Sequence, residues 1–563
     1  MQFYRRQPNM QTEIKSRALP PLRVGILIDT IYLPRWAHDV ISRLKVSPAV
    51  EITALFIDPS AQEQFPENPA EQGWNRFLYR AFCRFDKNKF LESPDVLERS
   101  DIRPQINNWP LHEIQLLRNE KGMSLSARDS AGIQAHQLDV LLFLGEKRQW
   151  GMVPRLARYG LWAFQFGGHQ PPAFWEVVEG IPTIPSGLYI CADEESEERL
   201  IYTSVAPGDN ISPAVIRNHI YLKTAQFAIR KLEQLHHFGE PALEPELCPV
   251  PERTLATPKG QGVPGNLRMT WAFSRLVGGF LKEVYKRKID MEARWDIAFR
   301  FGGDRLDLGG LHVIPSPEGG FWADPFPWQH EGKYYIFFEE LMFSDEKGLL
   351  RVMEVKRDGS WSEPITVLEK DYHLSYPFLF EWEGELYMLP ETMQNNTIEV
   401  YRCTSFPDKW ELHKVLMEGI KAVDATLLQR DGKWWMFVSL AVNNGEAWDE
   451  VSLFYADNPF GPWIPHPCSP IRSDVRSARP GGWLFEQSGR LYRPAQDCSV
   501  CYGYALSINE IKRLDTERYE ETEVQRILPR PQLKEMGIHT VNQAGELIVF
   551  DRFAAKTQRR KLP

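Results

Sequence analysis

The sequence predicts two domains, an α/β domain followed by an all-β five-bladed propeller, on three observations. Between residues 22 and 239, short β-rich apolar runs alternate with amphipathic helical patterns. A Pro-rich stretch over residues 240–266 then breaks all periodicity and reads as a linker. Beyond a connecting helix over 267–292 the pattern is strands only, and one strand–turn–strand unit recurs five times within residues 293–555. A chain of 563 residues is also too long for one ordinary core.

The elements follow in order. Residues 1–21, "MQFYRRQPNMQTEIKSRALPP", carry no apolar core of a leader peptide and read as a flexible start, so a soluble, cytoplasmic protein is expected. "LRVGILID" (Leu22–Asp29) is a buried-strand run, followed by the helical pattern "LPRWAHDVISRLKV" and a second strand, "VEITALFID". Residues from about 60 to 130 are less periodic and read as an insertion of helix and loop. "QLDVLLFLG" (Gln137–Gly145) and "YGLWAFQFG" (Tyr159–Gly167) are further strands of a largely parallel sheet. One helix over Ser212–Gly239 closes the domain, with Ser212 as N-cap and Gly239 just past its end.

Composition narrows the function. A net charge of −9 argues against nucleic acid as the main partner, and the basic tail over 556–563 is too short to reverse it. No apolar run approaches the roughly 20 residues that a membrane span needs. Seven scattered cysteines suit a reducing compartment; Cys498 and Cys501 form a lone C-x-x-C with no second pair, so no metal is expected. Aromatic residues reach 12%, a level that suits β structure and sugar stacking.

The repeat carries the functional reading. "WADPFPWQHEGKYYIFFEE", "SYPFLFEWEGELYMLPE", "VDATLLQRDGKWWMFVS", "ARPGGWLFEQSGRLYRPAQD" and "IHTVNQAGELIVFDR" each read as strand, Gly-bearing turn, strand. Aligning them superposes Asp324, Tyr376, Asp424, Arg479 and His539. The 48 to 60 residues between these positions suffice for a four-stranded blade each time, and "WDIAFRF" (Trp295–Phe301) is expected to pair into the last blade and close the ring. A β-sandwich explains the even spacing less well. Innermost strands line a propeller's axis, so these five polar groups should converge there. Such an arrangement is costly unless they bond one another or a ligand. The second strands also end in acids: Glu339 and Glu340, Glu391, Asp497 (after Gln496) and Asp551.

These motifs resemble two families. The "ADPF…GKYYIFFEE" and "NPFGPW" segments resemble the five-bladed glycoside-hydrolase propellers. The ordered set "ADPF", "LPET", "VDAT", "RPGG…YRPAQD" and "GIHT…FD" resembles the propeller at the N-terminus of glucosamine inositolphosphorylceramide transferases. The resemblance implies a sugar, nucleotide-sugar or glycoconjugate substrate. It makes Asp324 the general base or nucleophile and leaves Glu391 or Asp424 as the acid. Tyr376 stands where a second-blade Asp would tune the acid. Around these, Tyr376, Arg479, His539, Glu340, Gln496, Asp497 and Asp551 are candidate substrate contacts. The N-terminal half resembles the methionyl-tRNA formyltransferase-like (Rossmann-type) fold through "GLWAFQFGGHQPPAFWEVVEGIPTIPSGLYI". There the family's catalytic Asn and His positions read Ala163 and Gln165, which implies a degenerate domain. No cofactor is expected, and 10-formyltetrahydrofolate enters only if the protein formylates an amino-sugar. Three functions are open: a glycan- or glycoconjugate-processing enzyme, a non-catalytic sugar-binding protein, and that formyltransferase.

Overall fold

The computed structural model describes residues 19–58, 74–106, 109–119, 122–146, 150, 153–194, 196–208, 212–244, 262–290, 293–345, 347–441 and 447–555. The expected flexible start, the centre of the expected linker and the basic tail lie wholly or mainly outside them. The chain divides into two units, Met1–Leu281 and Lys282–Pro563.

The N-terminal unit is built on a seven-stranded sheet. Leu22–Ile28 lies inside it, with Val50–Ile57 and then Leu111–Glu113 on one side. On the other side come Val140–Glu146, Leu161–Gln165, Thr183–Ile190 and Arg199–Pro207. The first five strands are mutually parallel, and the last two add an antiparallel hairpin, so the sheet is mixed. Strands covered on both faces must be apolar throughout, as Val24, Ile26, Leu27 and Ile28 are, all fully buried. Helix Arg35–Leu44 contributes Trp36, Ala37, Val40, Ile41 and Leu44, one apolar face at helical spacing. The single closing helix expected over Ser212–Gly239 is instead two, Pro213–Thr224 and Phe227–Phe238. Ser212 caps the first, its Oγ accepting Val215 N–H at 3.3 Å. At the break the Gln226 side chain donates to Leu222 O, competing for a helical acceptor.

The C-terminal unit is a five-bladed propeller. Four blades are four-stranded antiparallel meanders whose first strands are Gly320–His330, Ser375–Trp382, Ala422–Arg430 and Phe485–Gln487. The fifth combines Val541–Ala544 and Leu547–Ala555 with Ala293–Phe301 and His312–Ile314 from the start of the unit. Trp295 pairs with Phe553 and Phe301 with Leu547, so the ring closes as the sequence predicts. Aromatic rings fill the space between blades, for example Phe326 against Tyr376 and Trp483.

One local device recurs. In the first three blades the register slips between Ala323 and Phe326, between Ser375 and Phe378, and between Val423 and Thr426. At each bulge one residue adopts a left-handed backbone: Asp324 (φ 51°), Tyr376 (φ 46°) and Asp424 (φ 54°). These are three of the five superposed positions. Arg479 and His539 are not among the positive-φ residues, so in blades four and five the repeat position is reached without the bulge.

Candidate functional site

The residues superposed from the repeat meet in one buried network. His539 stands between two carboxylates, with Nε2 3.0 Å from Asp324 Oδ1 and Nδ1 2.7 Å from Asp551 Oδ2. Asp551 is the anchor of this group. Its Oδ1 accepts the His539 and Thr540 amides at 3.0 and 2.9 Å, and its Oδ2 accepts Thr540 Oγ1–H and the Asp324 amide. The Trp295 ring lies against the His539 ring, 4.1 Å between centroids. Across the ring, Arg479 grips Asp424 through both Nε and Nη2, and Nη2 lies 3.7 Å from Glu391 Oε2. Gln496 Nε2 donates to Asp424 Oδ2 at 2.9 Å and to Pro480 O. Tyr376 joins the halves: its amide donates to Asp324 Oδ2 at 3.3 Å, and its hydroxyl meets Thr426 Oγ1 and accepts Gly482 N–H at 2.8 and 2.9 Å. Gly482 is obligatory at φ 124°, because a Cβ there would sit 2.3 Å from Val541 O.

Charge balance sets the protonation. Asp324, Glu339, Glu391, Asp424 and Asp551 face two cations, Arg479 and His539, and all seven side chains are buried. Burial raises the Glu391 carboxyl, and the neighbouring Asp424 raises it further, to about 8. Glu339 is pushed well up by burial and then by Asp324 and Glu391. Asp324 is also raised by burial, against the opposing pull of His539. Burial disfavours the His539 imidazolium, but Asp551 and Asp324 outweigh it and lift the ring to about 10. Asp551 lies below the ordinary range because His539 overrides its burial. At neutral pH Glu391 is therefore held mainly protonated, beside an Asp424 that Arg479 grips. That pairing of a proton donor with a charged neighbour is what acid-assisted cleavage of a glycosidic bond requires. Asp324, His539 and Asp551 place three ligand atoms within 4.8 Å of one another, a spacing a metal ion accepts. Here the imidazolium supplies the positive charge at that point.

Not every predicted residue belongs. Glu340 is buried but directed elsewhere, accepting Trp322 Nε1–H at 2.8 Å and pairing with Arg351 at 2.7 Å. Its neighbour Glu339 faces the cluster instead, since successive strand residues point to opposite faces. Asp497 pairs with Arg526 at 2.7 Å and accepts Ser499 N–H. Asp551 belongs, but with its oxygens engaged by Asp324, His539 and Thr540 it organises the site rather than offering itself to a substrate. The sequence reading counted Glu339 among the strand-end acids but took Glu340 for the site, and it did not assign Tyr502, Thr426 or Thr540. The alternation signal contained Glu339. Tyr502, whose ring lies 4.9 Å from the Arg479 guanidinium, sits in an aperiodic loop where nothing marks it. In the N-terminal unit Ala163 is fully buried and the Gln165 amide donates to Gly167 O. Neither supplies an acid or a base.

Residues 313–541 match the family model described as glucosamine inositolphosphorylceramide transferase 1, N-terminal. The matched span contains Asp324, Glu339, Glu391, Asp424, Arg479 and His539 and excludes the N-terminal unit, so the formyltransferase resemblance draws no support from it. Glucosamine inositolphosphorylceramide transferase 1 from Oryza sativa subsp. japonica is 40% identical over 263 residues, covering 42% of this chain and 35% of that protein. The protein of the same name from Arabidopsis thaliana is 35% identical over 215 residues, covering 38% and 28%. The chain thus spans about a third of the length of these curated relatives. Solved structures similar to it include Zg3597, a family 117 glycoside hydrolase from Zobellia galactanivorans. That likeness has 13% identity and a TM-score of 0.30 and covers 49% of this chain and 94% of that one. A GH43 β-xylosidase/α-arabinofuranosidase from a compost metagenome is 13% identical with a TM-score of 0.33, covering 43% and 88%.

Proposed function

We propose that the propeller is the sugar-processing part of a carbohydrate-active enzyme that acts on a glycoconjugate. The observation that carries this is Glu391, a carboxyl held protonated to about 8 beside an Asp424 that Arg479 and Gln496 fix in place. Glu391 gives its proton to the oxygen leaving the anomeric carbon as the glycosidic bond breaks. Asp424, already bound by Arg479 and Gln496, holds the local field and orients Glu391. Asp324 is the less encumbered carboxylate, and it takes the proton from the incoming water or acceptor hydroxyl while His539 and Asp551 hold it in place. The relatives' names join an amino-sugar, an inositol phosphate and a ceramide, and a glycolipid of that class is the substrate we favour. The test is a panel of aryl glycosides, nucleotide-sugars and inositol-phosphate glycolipids, assayed with wild type, D324N and E391Q. Turnover lost in both variants supports the scheme, and full turnover in either overturns it.

A second reading, sugar binding without turnover, is favoured by Tyr376. It occupies the place of a tuning acid, is fully buried, and spends its hydroxyl on Thr426 and Gly482. Calorimetric binding of a glycan that survives long incubation unchanged selects this reading.

A further inference from the structure

The N-terminal unit carries two helical segments whose apolar side chains face solvent. Ahead of and along helix Phe77–Phe90, Trp74 is 82% exposed and Phe77, Leu78 and Phe85 are exposed with it. At 100° per residue these four fall on one face. Helix Asn266–Asp290 buries Met269, Ala272 and Leu276, which at i, i+3 and i+7 make one narrow stripe. Its outer side shows Leu267, Trp271, Phe273, Val277, Phe280 and Leu281, all exposed. Asn266 ties the two helix starts together: its Oδ1 accepts Leu78 N–H at 3.0 Å and its Nδ2 donates to Trp74 O. The two helix starts are therefore neighbours, and each helix shows more exposed apolar side chains than the scattered ones that are normal on a monomer.

The charges on these two segments are mainly basic. Trp74–Phe90 contains five Lys or Arg and one acid, Asp86, which is buried and accepts Ala214 N–H. From Asn266 to Leu281 there are two, Arg268 and Arg275, and no acid. On the second helix Arg268 and Arg275 turn back onto the protein, Arg268 over the Trp175 ring at 4.3 Å and Arg275 Nε donating to Val178 O at 3.4 Å, so the exposed basic rim is that of the first helix, where Arg84 and Lys89 flank the apolar face. The chain as a whole carries −9, so this basic rim is a local departure. Exposed Trp, Phe and Leu bordered by Lys and Arg are the composition of a surface that lies in a lipid interface. Among the described residues no helix is long and apolar enough to cross a membrane.

We infer that this face seats on an anionic lipid bilayer, its aromatic and aliphatic side chains entering the headgroup–acyl boundary and its Lys and Arg meeting lipid phosphates. The inference stands on the N-terminal unit alone and is measured without any sugar, so failure of the proposed glycan chemistry leaves it untouched.

The experiment is co-sedimentation of the full chain with vesicles of phosphatidylcholine containing about 30% phosphatidylserine. Pure phosphatidylcholine vesicles and salt raised from about 0.05 to about 0.5 M are the comparisons. Wild type is expected to bind the mixed vesicles and to bind roughly 10-fold or more weakly in either comparison. Removing two exposed rings with W271S/F273S should lower partitioning about 10-fold or more. The charge reversals R84E/K89E should do the same on mixed vesicles only. Unchanged thermal melting of the variants shows that they fold. No binding of wild type to the mixed vesicles, or binding indifferent to both pairs of substitutions, overturns the inference. So does a wild-type dimer that W271S/F273S converts to monomer, which assigns the face to a second copy of the chain.

Discussion

Replacing Glu391 with Gln should stabilise the propeller at alkaline pH while abolishing turnover. The carboxyl is held up to about 8, from an ordinary 4.5, first by burial and then by Asp424. A carboxyl whose proton is held more tightly folded than unfolded is no burden below its ordinary range. Its stabilising effect is lost as pH rises through about 8. The displacement corresponds to roughly 5 kcal/mol at most, and to about 3 kcal/mol if the neighbouring acids share it. Gln keeps the shape and a donor toward Asp424 and never ionises. The E391Q and wild-type proteins should therefore differ by under about 1 kcal/mol at pH 5 and by about 3–5 kcal/mol at pH 9. For a domain of this size that is roughly 6–20 °C in the propeller's melting transition. The assay is urea and thermal unfolding followed by tryptophan fluorescence at both pH values. Stability curves that stay parallel from pH 5 to 9 would refute the claim that Glu391 holds a buried proton, and the proposed acid with it.

Three more outcomes follow from the same network. His539, lifted to about 10, contributes stability that is complete below its ordinary 6.5 and lost as pH rises through about 10, so H539Q should flatten that part of the pH–stability profile. R479M leaves Asp424 buried without its cation, and unfolding should show about 3–5 kcal/mol lost at pH 8 and less at pH 5, where the acids can take up protons. E340Q should leave kcat/KM unchanged on any substrate the panel finds and cost about 1–2 kcal/mol of stability, whereas E339Q should shift the pH–rate profile.

Much of the propeller was legible because its blades repeat. A strand, a Gly turn and a strand recurring about every fifty residues locate each inner strand and its polar residue, and the closing strand at Trp295 follows from the need to hide an edge. What failed did so at single-residue register. "FFEE" places two acids at a strand end, and only the pairing of Glu339 with Ala323 and Glu340 with Trp322 decides which one enters the cluster. Asp497 looked equivalent to Asp551 by position, yet Arg526, two strands away in the same blade, captures it. Tyr502 lies beyond any periodic signal, since loops reach a site by path rather than by pattern. In the N-terminal unit apolar periodicity predicted strands and helices, but the orientation of the last two strands was not in it.

Tyr376 explains why the ring is asymmetric. A left-handed backbone costs a non-glycine residue on the order of 1–3 kcal/mol, and aspartate bears it more readily than a bulky aromatic. Asp324 and Asp424 therefore suit the bulge, whereas Tyr376 must be held there by something else. The holding groups are visible: Thr426 from blade three, Gly482 from the strand entry of blade four, and Phe326 from blade one packed edge-on against the ring. Each meets Tyr376 in its left-handed pose, with its amide turned to Asp324. The second-blade position is thus a strut that ties blades one, three and four, and the acid of that blade, Glu391, lies fifteen residues along at the end of the next strand. The guanidinium of Arg479 meets Asp424, Glu391 and the Tyr502 ring, while burial and the neighbouring Asp424 hold the proton on Glu391.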